Sequence, residues 1–145
     1  MAYKKPESVL VVLYDDRQRV LILQRQDDPQ FWQSVTGALE EGELPVDAAY
    51  REVREETGVL LSPDTLPLTD CQTTNTYEIR PRWRHRYPPG TTHNTEHVFC
   101  ACIDSAHPLT LTEHLRAEWV TKSEAIARLW SPSNRDAVAQ FVPGE

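Results

Sequence analysis

The stretch "GALEEGELPVDAAYREVREETGV", residues 37–59, decides how the rest of the chain is read. Its second half crowds Glu52, Glu55 and Glu56 into five positions. Like charges at helical spacing weaken a helix, so a cation between them would explain the crowding. The helix signals are good. Pro45 suits a first turn, where its missing N–H costs nothing, and Gly58 suits the left-handed residue just past the end. At roughly 100° per residue, Val46, Ala49, Tyr50 and Val53 share one arc, the predicted buried stripe. Glu52, Glu55 and Glu56 fall on an adjoining arc, with Glu56 nearest the core edge and Arg51 and Arg54 toward the opposite side. An isolated E-x-x-E-E is most simply a solvated face. Here the acids border the buried stripe, and three hard oxygen donors on one ridge suit Mg²⁺.

Outward from that helix, "SVLVVLYDD" (8–16) and "RVLILQR" (19–25) read as strands joined by a short polar link, a hairpin. "DDPQFWQSVTG" (27–37) reads as a loop with a short strand near 33–36. Further strands are expected in "EHVFCACID" and "RAEWV", with "TLTEHL" (110–115) a loop between them. Two helices close the chain. "TKSEAIARLW" has capping-box spacing from Thr121 to Glu124, and "SNRDAVAQFV" repeats it from Ser133 to Asp136. The order strands, helix, strands, helices predicts an α/β (α+β) fold: a mixed β-sheet between helices, in one domain over residues 1–145.

The formal net charge is −7, which argues against a nucleic-acid polymer as partner. A bound metal or a local basic site can still attract a small anion. The three cysteines, Cys71, Cys100 and Cys102, have no C-x-x-C pair and read as buried free thiols. No stretch has the length and apolarity of a membrane span. The start "MAYKKPESVL" lacks a signal-peptide core. A cytoplasmic protein is expected, and a monomer suffices.

The pattern G-x5-E-x7-R-E-U-x-E-E-x-G-U, with U a bulky aliphatic, resembles the motif of the Nudix hydrolases. Gly37, Glu43, Arg51, Glu52, Val53, Glu55, Glu56, Gly58 and Val59 fill it without departure. Seven fixed identities at about 5–7% usage give a chance match on the order of 10⁻⁸ per start. The resemblance implies a loop–helix–loop motif on a mixed sheet. It also implies divalent metal, Mg²⁺ with Mn²⁺ as substitute, held by Glu52, Glu55 and Glu56 with the Gly37 carbonyl. Glu43 and Arg51 would brace the loop. The implied reaction is hydrolysis of a phosphoric anhydride, in which metal ions neutralise the oxygens and activate water. One of the glutamates is also the candidate general base. A further ligand from outside the motif could be Glu96, Glu113 or Glu118. Glu113 is preferred, because its loop can bend over the site.

"YEIRPRWRHRYPPG" (77–90) is the one basic tract. As an extended segment it would show Arg80, Arg82, Arg84 and Arg86 on one face, interleaved with Tyr77, Trp83 and Tyr87. It reads either as an edge strand kept soluble by charge or as a wall for phosphates and a flat ring. His85, His93, His97, His107 and His114 read as packing or surface residues. A closer likeness, within the Nudix family, runs through "DDPQFWQSVTG", "RHRYPPGTTHNTEHVF", "LTEHLRAEW" and "SNRDAVAQFV". It points to the branch that cuts dihydroneopterin triphosphate, a small-molecule triphosphate of folate biosynthesis, to the monophosphate and pyrophosphate. That likeness implies substrate contacts at Lys4, Arg25, Thr36, Tyr77, Glu78, Ile79, Arg80 and Ser131, with Glu113 completing the metal site. Lys4 and Arg25, read by themselves, are cations beside predicted strands and equally suit a surface. Other Nudix substrates (dNTPs, dinucleoside polyphosphates, ADP-ribose) are the alternative. A non-catalytic module would usually lose motif glutamates, and this chain keeps them.

Overall fold

The computed structural model describes residues 3–144. The first strand, β1 (Glu7–Tyr14), is central. It pairs in parallel with β6 (His93–Cys102) along its whole length and antiparallel with β4 (Val35–Ala38). It meets β2 (Val20–Arg25) only at Tyr14↔Val20, where the predicted hairpin turns. From there the two strands part, and β2 pairs instead with β3 (Trp32–Gln33) and β7 (His114–Val120). On the far side β6 pairs with β5 (Thr69–Glu78). The continuous apolar run of β1 is explained by burial on both faces. Val9, Val11 and Leu13 face one core cluster, and Leu10 and Val12 the other.

Helix α1 (Pro45–Thr57) covers the first face; α2 (Lys122–Arg128) and α3 (Pro132–Phe141) cover the second. The helix stop of α1 is as predicted. Gly58 is left-handed at φ 78°, and its amide donates to the Arg54 carbonyl at 2.9 Å. The buried stripe is rotated from the expected one. Ala48, Ala49, Glu52, Val53, Glu56 and Thr57 are buried, whereas Val46 is exposed and Tyr50 is half-buried. The helix therefore turns two acids inward, a choice that hydrophobicity alone would not make.

Other expectations are corrected. The single short strand near 33–36 is two strands broken at Ser34, whose amide donates to the Asn134 side chain at 2.9 Å. Thr121 caps α2 as expected, accepting from the Glu124 amide at 3.1 Å. The second capping box does not form: α3 starts earlier, with Pro132 in its first turn, and leaves Ser133 inside the helix. The arginine tract is not extended. Pro81 opens a 3₁₀ turn over Pro81–Arg86, so the period-two display is lost: Arg80 and Arg82 both lie over the Phe31 and Trp83 rings, whereas Arg84 pairs with Glu78 at 2.9 Å. Of the three thiols only Cys100 is buried. Cys71 is half-buried with its sulfur 3.6 Å from that of Cys100, and Cys102 is exposed at a strand end. Among the described residues no helix is long and apolar enough to cross a membrane.

Candidate active site

The motif loop is built around Arg51. Its guanidinium grips Glu43 with two bonds of 2.8 Å, donates to the Ala38 carbonyl at 3.0 Å, and reaches Glu52 at 2.6 Å and Glu55 at 3.1 Å. The Arg51 bond holds the Glu43 carboxyl below its ordinary range, against burial. Arg51 thus lies beside the glutamates and ties loop to helix, not on the opposite side as helical geometry suggested.

That clamp arranges the three motif acids unequally. Glu55 leans to solvent, with half its side chain exposed. Glu52 and Glu56 turn inward together, 9% and 3% exposed. Burial pushes the Glu56 carboxyl well up, and the neighbouring Glu52 and Glu113 push the same way against the Thr36 amide. Burial also raises Glu52, against its bonds to Glu56 and Arg51. Glu56 Oε1 is buried without a hydrogen-bond partner. A Cβ on Gly37 would collide with the Glu52 carboxylate, so only glycine lets that acid lie against β4.

Glu113 is delivered to the same place by two ties between its loop and the end of α1. The Thr110 amide donates to the Thr57 carbonyl at 2.7 Å, and the Thr112 hydroxyl to the Glu55 carbonyl at 2.9 Å. Glu118 stays away, paired with Arg128 at 3.1 Å. Among the described residues no three acids, histidines or cysteines are gathered closely enough to enclose a metal ion. The Glu52–Glu56 pair with its orphaned oxygen nevertheless fits a divalent cation, which would replace the mutual repulsion with attraction.

Beside these acids opens a cavity of about 750 Å³. Every expected substrate-contact position, Lys4, Arg25, Thr36, Tyr77, Glu78, Ile79, Arg80 and Ser131, lines it, as do Gly37, Glu56 and Glu113. Glu52 and Glu55 are not part of that lining. The cations of the wall are crowded. Lys4 is bonded through its amide to the Arg86 carbonyl at 2.7 Å; burial lowers its ammonium pKa, and Arg86 and Arg25 add to this against Glu52 and Glu113. Arg25 is held by Asp27 at 2.6 Å and lies over Trp83. Phe31 stacks on Trp130, Trp83 meets Trp130 edge-on, and Arg80 caps Trp130 at 4.9 Å. Cations beside aromatic faces suit phosphates next to a flat ring.

Sequence reasoning missed several wall residues. His114, read as a packing or surface residue, lies in the wall with Nε2 3.1 Å from the Gln33 amide and 3.9 Å from Glu56 Oε1. Burial, reinforced by Arg25, lowers its pKa and favours the neutral ring. Its position next to Glu113 was the available signal. Asn94, Trp130 and Asn134 also line the cavity, and nothing in their local sequence marks them. Among the described residues five buried side-chain polar atoms lack partners, and four belong to wall residues: Glu56, Asn94, His114 and Trp130. Unpaired buried groups concentrated in one cavity point to a polar ligand.

Residues 4–141 match the NUDIX domain, and the chain belongs to that family. Nudix hydrolases use divalent metal ions. Within it, this chain is 50% identical to the dihydroneopterin triphosphate diphosphatase of Escherichia coli K12 over 141 residues, covering 97% of this chain and 94% of that one. The enzyme of the same name from Haemophilus influenzae is 42% identical over 143 residues, covering 98% and 90%. The solved structure of the E. coli dihydroneopterin triphosphate pyrophosphohydrolase superposes with a TM-score of 0.92 at 50% identity, over 98% of each chain.

Proposed function

We propose that this chain is a hydrolase that converts dihydroneopterin triphosphate and water to dihydroneopterin monophosphate and pyrophosphate, with Mg²⁺ as its metal and Mn²⁺ as a substitute. The observation that carries the reading is the near-full-length identity to two enzymes of that name. The match over residues 4–141 supports one catalytic domain, and a cytoplasmic location accords with a substrate of folate biosynthesis. The residues that would hold the cation are Glu52 and Glu56, with Glu55, Glu113 and the Gly37 carbonyl. When bound, it supplies positive charge against the phosphate oxygens and lowers the pKa of a water.

The chain's own residues do the rest. Lys4 and Arg25, with Arg86 beside them, bind the triphosphate tail and draw it toward the acids. Arg51 keeps Glu52 against Gly37 and so fixes the helix relative to β4. Glu113, held by its loop at the end of α1, faces the reacting phosphate, and one of the four glutamates would also accept the proton of the attacking water. The aromatic and polar walls hold the ring. Positioning and electrostatics supply most of such catalysis, since the protein forms no covalent bond.

The test is kcat/KM for dihydroneopterin triphosphate beside dATP, dGTP and ADP-ribose, with pyrophosphate and orthophosphate measured separately. A clear preference for the pterin with pyrophosphate release is expected. Preference for one of the other three overturns the substrate, and orthophosphate as sole inorganic product overturns the bond cleaved.

A further inference from the structure

The mechanism above leaves one buried acid of the cavity without a task. Glu96 sits on β6, 2% exposed, and lines the same cavity as Glu56. It alternates with Asn94, Val98 and Cys100 on the face of β6 that looks toward α3, whereas α1 covers the other face of the sheet. It is therefore not part of the motif's acid cluster. Burial drives its carboxyl pKa up; only the neutral groups of Ser133 and Asn75 oppose this, the Asn75 amide at 3.4 Å, and no guanidinium or ammonium offsets it among the described residues. A buried carboxylate whose partners are two neutral groups has acceptor capacity to spare.

Its neighbour on the same face adds to this. Asn94 is 2% exposed and donates its Nδ2 to Ser8 Oγ at 2.7 Å and to Tyr77 Oη at 3.1 Å. Its Oδ1 is buried and has no partner. Two side chains on alternate residues of one strand, roughly 7 Å apart along it, thus line the cavity with acceptor oxygens, that of Asn94 lying buried behind its surface. A ligand complementary to the two oxygens of the Glu96 carboxylate carries two adjacent donors. A 2-amino-4-oxo ring has such an edge, formed by its exocyclic amino group and the neighbouring ring N–H. Glu or Asp accepting from base N–H groups is a recurrent readout geometry.

We infer that Glu96 is the specificity-determining residue of a ring subsite, accepting hydrogen bonds from the amino and ring N–H of a 2-amino-4-oxo heterocycle, with Asn94 Oδ1 as an auxiliary acceptor. The inference rests on the proposed substrate class for its natural ligand, but the donor edge is shared by guanine, which permits a separate test. Adenine lacks that edge, and hypoxanthine lacks the amino group. A site built to pair a donor rejects an analogue without it, because its own buried acceptors are left unpaired.

The experiment needs both sides of the contact. With the wild-type protein and Mg²⁺, kcat/KM is measured for dihydroneopterin triphosphate, dGTP, dITP and N1-methyl-dGTP. We expect dGTP to exceed dITP and N1-methyl-dGTP by about 10- to 100-fold. Glu96→Gln should collapse that ratio to within about threefold and raise KM for dihydroneopterin triphosphate more than it lowers kcat. Its inhibition by pyrophosphate should be unchanged, since the phosphate end is untouched. Equal turnover of the three purine substrates by the wild type overturns the subsite with no mutation required, so a Glu96→Gln protein that fails to fold does not rescue it. A folded Glu96→Gln protein that keeps the wild-type ratio also overturns it and leaves Glu96 as a brace for α3. Failure of the wild type on dihydroneopterin triphosphate, with the dGTP-to-dITP ratio intact, overturns the substrate and retains the subsite.

Discussion

Glu56 shows how a single residue can be costly to the fold and necessary to the chemistry. Buried, beside Glu52, and with one oxygen unpartnered, its carboxyl is held well above 4.5. For an acid whose folded pKa lies above its unfolded one, ionisation favours the unfolded chain. The penalty begins as pH rises past the unfolded value and grows to the folded one. Glu56→Gln removes that penalty and places an amide where it can donate to Glu52. In the absence of divalent metal the variant should therefore melt no lower than wild type at neutral pH, by scanning calorimetry. Its turnover should fall at least a hundredfold, on the order of ~3 kcal/mol of barrier. Normal turnover in a well-folded variant would remove Glu56 from the mechanism. Gly37 is the companion case: its missing side chain is the space the Glu52 carboxylate occupies.

Among the elements, the loop before β7 and the turn after β1 carry the next expectations. Thr110 and Thr112 fasten the loop to the end of α1, so Glu113 arrives near Glu56 by two backbone-directed bonds. Glu118, five residues on, is engaged with Arg128 on α2. Glu113→Gln should then raise the metal concentration needed for half-maximal rate and lower kcat, while Glu118→Gln leaves both within about twofold. Equal small effects would return Glu113 to the status of a loop acid. In the turn, Asp15 is 1% exposed. Burial pushes its carboxyl up, but the Arg19 amide, the Ser105 hydroxyl, the Arg19 guanidinium and the Arg17 amide together outweigh it and leave it below 3.8. A depressed acid stabilises above its unfolded pKa, and that contribution is lost as pH falls through the folded value. Asp15→Asn should cost about 1–3 kcal/mol at pH 7, read by urea unfolding, with the difference from wild type shrinking below about pH 3.8. A constant difference down to pH 2 would assign the effect to packing.

Across the molecule, what was legible depended on whether a signal was local. The motif helix, its Pro45 start and Gly58 stop, and the apolar strands β1, β2 and β6 follow from neighbours in sequence; β5 was missed, because it is polar and has no buried residue. The inward roll of α1 does not, because Arg51 binds Glu43 and the Ala38 carbonyl from the preceding loop. Nor does the cavity wall, since Lys4, Arg25, Tyr77 and Ser131 come from four separate parts of the chain. The same distribution gives the cavity its charge logic. In a protein of net charge −7, Lys4, Arg25 and Arg86 crowd together close enough to Glu52 and Glu113 for Lys4 to feel both signs of charge. A phosphate entering alone relieves the cations and meets the acids; a divalent cation entering alone does the reverse. Each removes the repulsion the other feels, so binding should be synergistic. Ligand at a hundred times its Kd stabilises a native state by about 2.7 kcal/mol, or about 5–10 °C in Tm for a chain of this size. Mg²⁺ alone and pyrophosphate alone, each at millimolar concentration, should shift Tm by about a quarter of that or less. The two together should exceed the sum of their separate shifts. In Glu56→Gln the excess should vanish, because the acid side of the pairing is broken. Strictly additive shifts in the wild type would mean that the metal and the phosphate occupy sites that do not feel each other.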